Sequence, residues 1–429
     1  MDNLSAGGRV GSVHSVGDIY DSSRSMPGSV DRAGQLDAST KVQDTDHPRL
    51  IDRAQFLRGI SALGIGAFGM GACALVPATK VVAQEEVVNA WINEALLRGE
   101  PVLLELPPRE YAADQVSSIN LQPGSMLGSA QTGTRAFIRL VGDPTTANDT
   151  FLRGTTARDA TLRDLQIAGF IPDGMDRFAG AVFFRANGVD AQRLLSGLVA
   201  ANIGATDWPG HWIAAKHLHS CEFRDLDLQR SVKGGMVLRG VIQNTSLTNV
   251  KVMSGVDNKG TYGDDAFAHI KKSAGMTSAD IGPSMGNVMD GCTFYRAITP
   301  GYRPGGVPGR FSGSSGGTAD NPTWRVTNTT FAGGNSRKDV CTLTIRTEQG
   351  LGPRHLVFDG ITVDPMGQTG GIKLDAEGYT KPSQQPQDIT INVTSMGQVA
   401  SGRRQVEIDS LINPVKNRIS IYIAGKRVI

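Results

Sequence analysis

The 429 residues hold few of the groups that usually declare a chemistry. Four cysteines are present, at 73, 221, 292 and 341. No two lie close enough to form a Cys-x-x-Cys redox or zinc motif. Cys221-Glu-Phe223 and Cys292-Thr-Phe294 are alternating contexts in which a thiol serves as a small buried apolar group. The seven histidines form no HExxH pair, which removes the usual preformed zinc site. Aromatics are 6% of the chain and charged residues 20%, and the net charge is only +2. Charges so evenly mixed exclude nucleic acid as a partner. Glycine is abundant without a Gly-X-Y period, so collagen is excluded. The body contains a single Asn-Gly pair, Asn187-Gly188, whereas a sandwich of hairpins would use such turns every 8–12 residues or so.

What the chain does have is 39% hydrophobic residues, enough for a sizeable core, and 53 glycines spread among short apolar runs. From residue 162 a small template recurs: apolar, any, Asp/Asn/Gly, apolar, any, apolar. It reads Leu162-Arg-Asp164-Leu165-Gln-Ile167, then Phe223-Arg-Asp225-Leu226-Asp-Leu228, then Leu247-Thr-Asn249-Val250-Lys-Val252. It returns as Met289-Asp-Gly291-Cys292-Thr-Phe294, as a weaker copy at Val326-Thr-Asn328-Thr329-Thr-Phe331, and as Phe358-Asp-Gly360-Ile361-Thr-Val363. The starts are 61, 24, 42, 37 and 32 residues apart, one coil each with inserted loops and two to three coils for the longest interval. The third position needs a residue that tolerates positive φ, where the chain bends. The alternating apolar positions after it point inward and stack on the coils above and below. One such unit cannot bury its own face, so several are required.

The front of the chain is of another kind. Residues 1–50 are rich in Gly, Ser and Asp and read as a flexible or partner-ordered arm. Arg53-Ala54-Gln55-Phe56-Leu57-Arg58 then precedes an uncharged stretch from Gly59 to Thr79, and a cut site would follow Ala83. On Arg53, Phe56, Leu57 and Arg58 the 51–83 segment resembles a twin-arginine (Tat) export signal; Ala54 stands where its second arginine would be. The resemblance implies export to the periplasm or cell surface. Met70-Gly71-Ala72-Cys73 is faintly similar to a lipobox. The alternative is a Gly/Ala-rich packing segment of an assembly. Val87, Val88, Trp91, Ile92, Ala95 and Leu96 then predict one apolar helix face. Val102–Leu106, Pro107-Pro108 and Tyr111 follow.

Helix, apolar strand, Pro-Pro turn and the repeated template together resemble the right-handed parallel β-helix proteins of the pectin-lyase-like superfamily. The implied fold is all-β: a polar arm, a capping helix that protects the sheet edge, a parallel β-helix over 84–400, and cap strands over 401–429. A long Gly-rich loop over 300–322, holding Tyr302, Arg303, Arg310 and Phe311, would project from a coil.

Such a rod offers a groove for an extended polymer, and the resemblance implies an acidic polysaccharide. Gly263-Asp264-Asp265 looks like the Gly-Asp-Asp motif of polygalacturonase-type glycoside hydrolases, whose aspartates flank the scissile bond; Asp264 and Asp265 would be the acid and base. Arg346 matches the lysine of that family's Arg-x-Lys segment, with Thr344 in the arginine's place and Asp257 a candidate third carboxylate. On a strand, Asp265, Phe267, His269 and Lys271 share one face and would project into the groove, with Ala266, Ala268 and Ile270 inside. Lyases of the fold instead use a basic residue beside bound Ca²⁺; there Lys271, Lys272 or Arg346 would be the base and the aspartates the metal ligands. Trp208 and Trp212, with His211, His217 and His219, read as a sugar-stacking platform, and Tyr302 as a further substrate contact. Two other readings stay open. In a phage tailspike-like virion protein residues 1–83 would be the anchoring arm of a homotrimer. A surface β-solenoid would carry no catalysis.

Overall fold

The computed structural model describes residues 79–82, 102–114, 119–141, 150–154, 158–169, 171, 182–255, 264–271, 282–297, 306–334 and 340–429. Chain contacts divide the protein into Met1–Pro77 and Ala78–Ile429, and every described residue falls in the second unit. The expected arm, nearly all of the signal-like segment and the capping helix lie outside the described residues, as do Asp257, Lys272 and Tyr302. Among the described residues the one helical element is a 3₁₀ turn, Pro382–Gln384; the regular structure is otherwise β.

Two sheets run the length of the body, one of eighteen strands and one of eleven. Their ladders are parallel except for a closing hairpin that pairs Tyr422 with Arg427. The chain is a parallel β-helix, and the template sets its register. Leu162 pairs with Ala200, Ala200 with Phe223, Phe223 with Leu247, Leu247 with Met289, Met289 with Val326, and Val326 with Phe358. The sixth position makes a second file, from Ile167 through Ala205, Leu228, Val252, Phe294 and Phe331 to Val363. Both files are buried and belong to one continuous core. The 61-residue interval holds one extra coil, at Ala200-Ala-Asn202-Ile203. The ladder also passes residue 400: Val406–Ile408 and Ile419–Ile423 pair in parallel with the preceding coil, so the expected cap strands are a further coil of the rod.

All six third positions have positive φ, from 49° at Asn328 to 66° at Gly360, and Asn202 in the extra coil has 52°. The polar side chains at these corners bond along the rod. Asn202 Nδ2 donates to Asp164 Oδ1 at 2.7 Å, Asn249 Nδ2 to Asp225 Oδ1 at 2.8 Å, and Asn328 Nδ2 to Asp290 Oδ1 at 2.9 Å. Asn328 therefore meets a backbone demand and a coil-to-coil bond together. Asn328→Gly should cost about 1 kcal/mol, the worth of one hydrogen bond. Asn328→Val should cost about 2–4 kcal/mol, because a β-branched residue is also strained at that φ. Urea unfolding of the pair checks this; equal losses would remove the backbone argument.

The cysteines within the rod are as the sequence suggests. Cys221, Cys292 and Cys341 are buried and free of disulfides, and burial raises the thiols of Cys221 and Cys292 to about 11 and about 12.

Candidate functional site

The strand Phe267–Ile270 lies in the eleven-strand sheet, and its faces are the reverse of those expected. Phe267 points into the rod, with its ring 4.9 Å from Phe294 and 5.3 Å from Phe311. Ala268 and Ile270 point the other way and form a small apolar cluster with Val237, separate from the main core. Alternation fixes the pairing of faces but not which one is inside. Here the aromatic ring fills the coil interior, and the small face lies on the other side of the strand, where it too is buried.

His269 consequently is not a groove residue. It is fully buried, and its Nδ1 accepts from Trp324 Nε1 at 2.9 Å with Ser314 Oγ at 2.7 Å. Nε2, 3.4 Å from the Gly240 carbonyl, then carries the proton. Burial, helped by the Lys271 charge, lowers this imidazole to about 3. Lys271 is also enclosed, donating from Nζ to Ser315 O at 2.6 Å and to Ser315 Oγ at 3.1 Å, with burial lowering it to about 8.

The tryptophan platform is corrected likewise. Trp208 and Trp212 are each 1% exposed and pack edge-on against Phe183 at 5.6 and 5.3 Å. His217 occupies a bulge, with φ 55° and a register shift between Lys216 and Leu218. Its ring is buried and accepts from the Val241 amide at 3.2 Å. Only His219 of that pair remains half-buried at the surface, 3.5 Å from Asn244 Nδ2.

The aspartate pair does form a site, around a partner grouped in sequence with the tryptophans. His211 Nε2 donates to Asp264 Oδ2 at 3.0 Å. His211 pairs with Gly234, while Asp264 belongs to the next coil, with its amide donating to the Lys233 carbonyl. The bond therefore passes over a whole intervening coil. Gly234 permits it: a Cβ there would lie 2.6 Å from His211 Cδ2 and 3.0 Å from Asp264 Cβ.

The two carboxyls are pushed apart in proton affinity. Burial alone would raise Asp264, but the bond from His211, the Asp265 amide and Arg310 together hold it well below the usual range. Burial raises Asp265, and Asp264 beside it adds to the effect against the pull of Arg310. Asp265 is 1% exposed; Oδ1 accepts from the Val307 amide at 2.7 Å, and Arg310 Nη1 lies 3.5 Å from Oδ2. Burial keeps His211 neutral, lowering it despite Asp264. With Nε2–H directed to Asp264, Nδ1 is the unprotonated nitrogen. The result is a carboxylate that orients a neutral imidazole, next to a carboxyl that holds its proton to higher pH than usual.

Arg310 continues the network to Glu348 at 2.5 Å, and Arg346 binds Glu348 at 3.0 Å and Glu377 at 2.8 Å. Arg346 thus works as a clamp between two carboxylates and has no free role as a base. The aspartates do not suit Ca²⁺ either: their oxygens already face His211, an amide and Arg310, and among the described residues no group of three His, Cys, Asp or Glu is arranged for a metal.

Beside this pair the eleven-strand sheet carries a run of basic residues. Arg153, Arg185, Lys216, Arg239, Arg310 and Arg346 lie in its strands from Ile119 to Arg346, and none of those strands contains Asp or Glu. Arg153 pairs with Arg185 and Lys216 with Arg239, on neighbouring coils about 4.8 Å apart. Sequence reasoning missed this because the cations are scattered along the chain and come together only through coil register.

No family model matches the sequence, and no curated protein does. Among solved structures the chain is similar to the A-module of a mannuronan C-5 epimerase of Azotobacter vinelandii, with TM-score 0.42 and 12% identity over 80% of this chain and 96% of that one. It is also similar to the catalytic domain of a GH87 alpha-1,3-glucanase in complex with tetrasaccharides, with TM-score 0.37 and 10% identity over 83% of this chain and 70% of that one. A polygalacturonase from Erwinia carotovora ssp. carotovora gives TM-score 0.35 and 10% identity over 80% of this chain and 96% of that one.

Proposed function

We propose that the protein binds an extended acidic polysaccharide along the outer side of the eleven-strand sheet and acts on it at the His211–Asp264 pair. The observation that carries this reading is two pairs of like-signed side chains on four successive coils: Arg153 pairs with Arg185, and Lys216, two residues further along its strand than the partner of Arg185, pairs with Arg239. One cation on each of four coils favours a polymer with carboxylates at short intervals, and the coil repeat of about 4.8 Å is comparable to one sugar residue of an extended chain. Neutralising a uronate carboxylate makes the adjacent C–H more acidic. A neutral imidazole oriented by a carboxylate is suited to take that proton. Asp265 supports the pair from below and does not itself reach the polymer.

The test is binding of polygalacturonate and of alginate by calorimetry, against dextran as the neutral control. Both acidic polymers should bind, more weakly as salt rises. Reversing Lys216→Glu and Arg239→Glu together should weaken binding about 100-fold, at roughly 1.4 kcal/mol per tenfold step. Unchanged affinity in the double variant would overturn the reading. His211→Asn and Asp264→Asn should bind normally and lower turnover about 10²–10⁴-fold, as for loss of a proton-transfer group.

A further inference from the structure

A cleft lies elsewhere on the rod, on the eighteen-strand sheet near its C-terminal end. Its volume is about 300 Å³, and it is lined by Asp359, Gly360, Asn392, Thr394, Tyr422 and the turn Ala424-Gly425, with Val393 at its base. That volume is at the small end for a ligand site.

Three successive coils build it. Asn392 pairs with Tyr422, and Asn392 Nδ2 donates to Asp359 Oδ1 at 3.2 Å, so carboxylate, amide and phenol stand in one file. Gly360 opens the floor: a Cβ there would lie 3.3 Å from Asn328 Oδ1 and 3.9 Å from Thr394 Oγ1. The far wall is the hairpin turn, where Ala424 and Gly425 have φ of 48° and 76°. Two positive φ values suit a tight two-residue turn, but a position that glycine or asparagine fills more easily holds alanine here. Asp359 and Thr394 are exposed, and Tyr422 and Asn392 are half-buried.

The lining has one carboxylate and no cation. That composition disfavours the polyanion assigned to the other sheet. It offers one carboxylate able to accept two hydroxyl protons, an amide and a hydroxyl that both donate and accept, and a flat aromatic ring for C–H groups. A neutral pyranose presents these groups together: vicinal hydroxyls at the rim and an apolar ring face. We infer that this cleft is a binding subsite for a neutral sugar residue, independent of the acidic-polymer face and without catalysis of its own.

The experiment is saturation-transfer NMR and calorimetry on the full chain with neutral β-1,4-linked hexasaccharides of glucose, mannose and galactose. At least one should receive saturation and bind. Tyr422→Ala should weaken that binding about fivefold or more, the scale of an aromatic contact, and Tyr422→Phe should retain it. Asp359→Ala should weaken it about tenfold or more, the scale of a charge-assisted hydrogen bond. If Tyr422→Ala proves unfolded by circular dichroism, the exposed Asp359→Ala carries the test alone. Polygalacturonate binding should be unchanged in both variants, and neutral-sugar binding unchanged in the Lys216→Glu/Arg239→Glu variant, so either site can fail separately. Absence of binding by all three hexasaccharides, or wild-type affinity in the folded cleft variants, overturns the inference.

Discussion

Replacing Arg296 with methionine is expected to destabilise the rod by about 3–5 kcal/mol at pH 7, as when one partner of a buried charge cluster is removed. Arg296 ends the strand Thr293–Arg296 and is fully buried. Its guanidinium sits where a side chain at Gly255 would be, since a Cβ there would be 1.2 Å from Nη1. Burial lowers the group to about 10, while the fields of Asp265 and Asp264 counter that loss. The carboxylates depend on it in return. Asp265 already binds its proton more tightly in the folded chain than in the unfolded one. A carboxyl raised by folding subtracts stability as pH climbs from about 3.9 through its folded value. Without Arg296 that folded value moves higher. The deficit should therefore be largest at pH 8 and shrink toward pH 5, by at most about 1.4 kcal/mol per pH unit for one proton. Urea unfolding at both pH values decides it; a deficit that grows on acidification would show that the charges are not coupled in this way.

Truncating Phe331 to alanine should cost about 3–5 kcal/mol for a different reason. The ring is fully buried in the second apolar file, stacked on Phe294 at 5.8 Å and edge-on to Phe311 at 6.4 Å. Its neighbour across the rod is backbone: a Cβ at Gly309 would lie 2.4 Å from the ring. Main chain held by ladders above and below cannot collapse into the cavity. Thr330→Ala, next in sequence but on the outer face, should change stability by no more than about 0.5 kcal/mol. A loss below about 2 kcal/mol for Phe331→Ala would mean that the coils close up after all.

The architecture was legible in the sequence because it rests on a local rule repeated many times. Asp164, Asp225, Asn249, Gly291, Asn328 and Gly360 each had to bend the chain, and each does so with positive φ. The extra coil at Asn202 lies in the interval read as two to three coils, and Ala200 and Ala205 are small enough to hide its pattern. The site was less legible. Phe267 and His269 turned inward because alternation is symmetric, and the interior volume that chose between the faces comes from Phe294 and Phe311 on other coils. Trp208 and Trp212 lie in a polar stretch, yet Phe183 draws both rings under cover. His211 and Asp264 are 53 residues apart, and no local signal marks Gly234 as the space between them.

That space limits how the rod could be lengthened or shortened. Where contacts link only adjacent coils, as between Val326 and Phe358, a module could be spliced in or cut out and the remaining layers would close on one another. Between His211 and Asp264 they would not. One layer more puts the imidazole out of reach of the carboxylate, and one layer fewer makes them collide. Variants of different length should therefore keep this three-layer block intact and take up their insertions and deletions toward the far end.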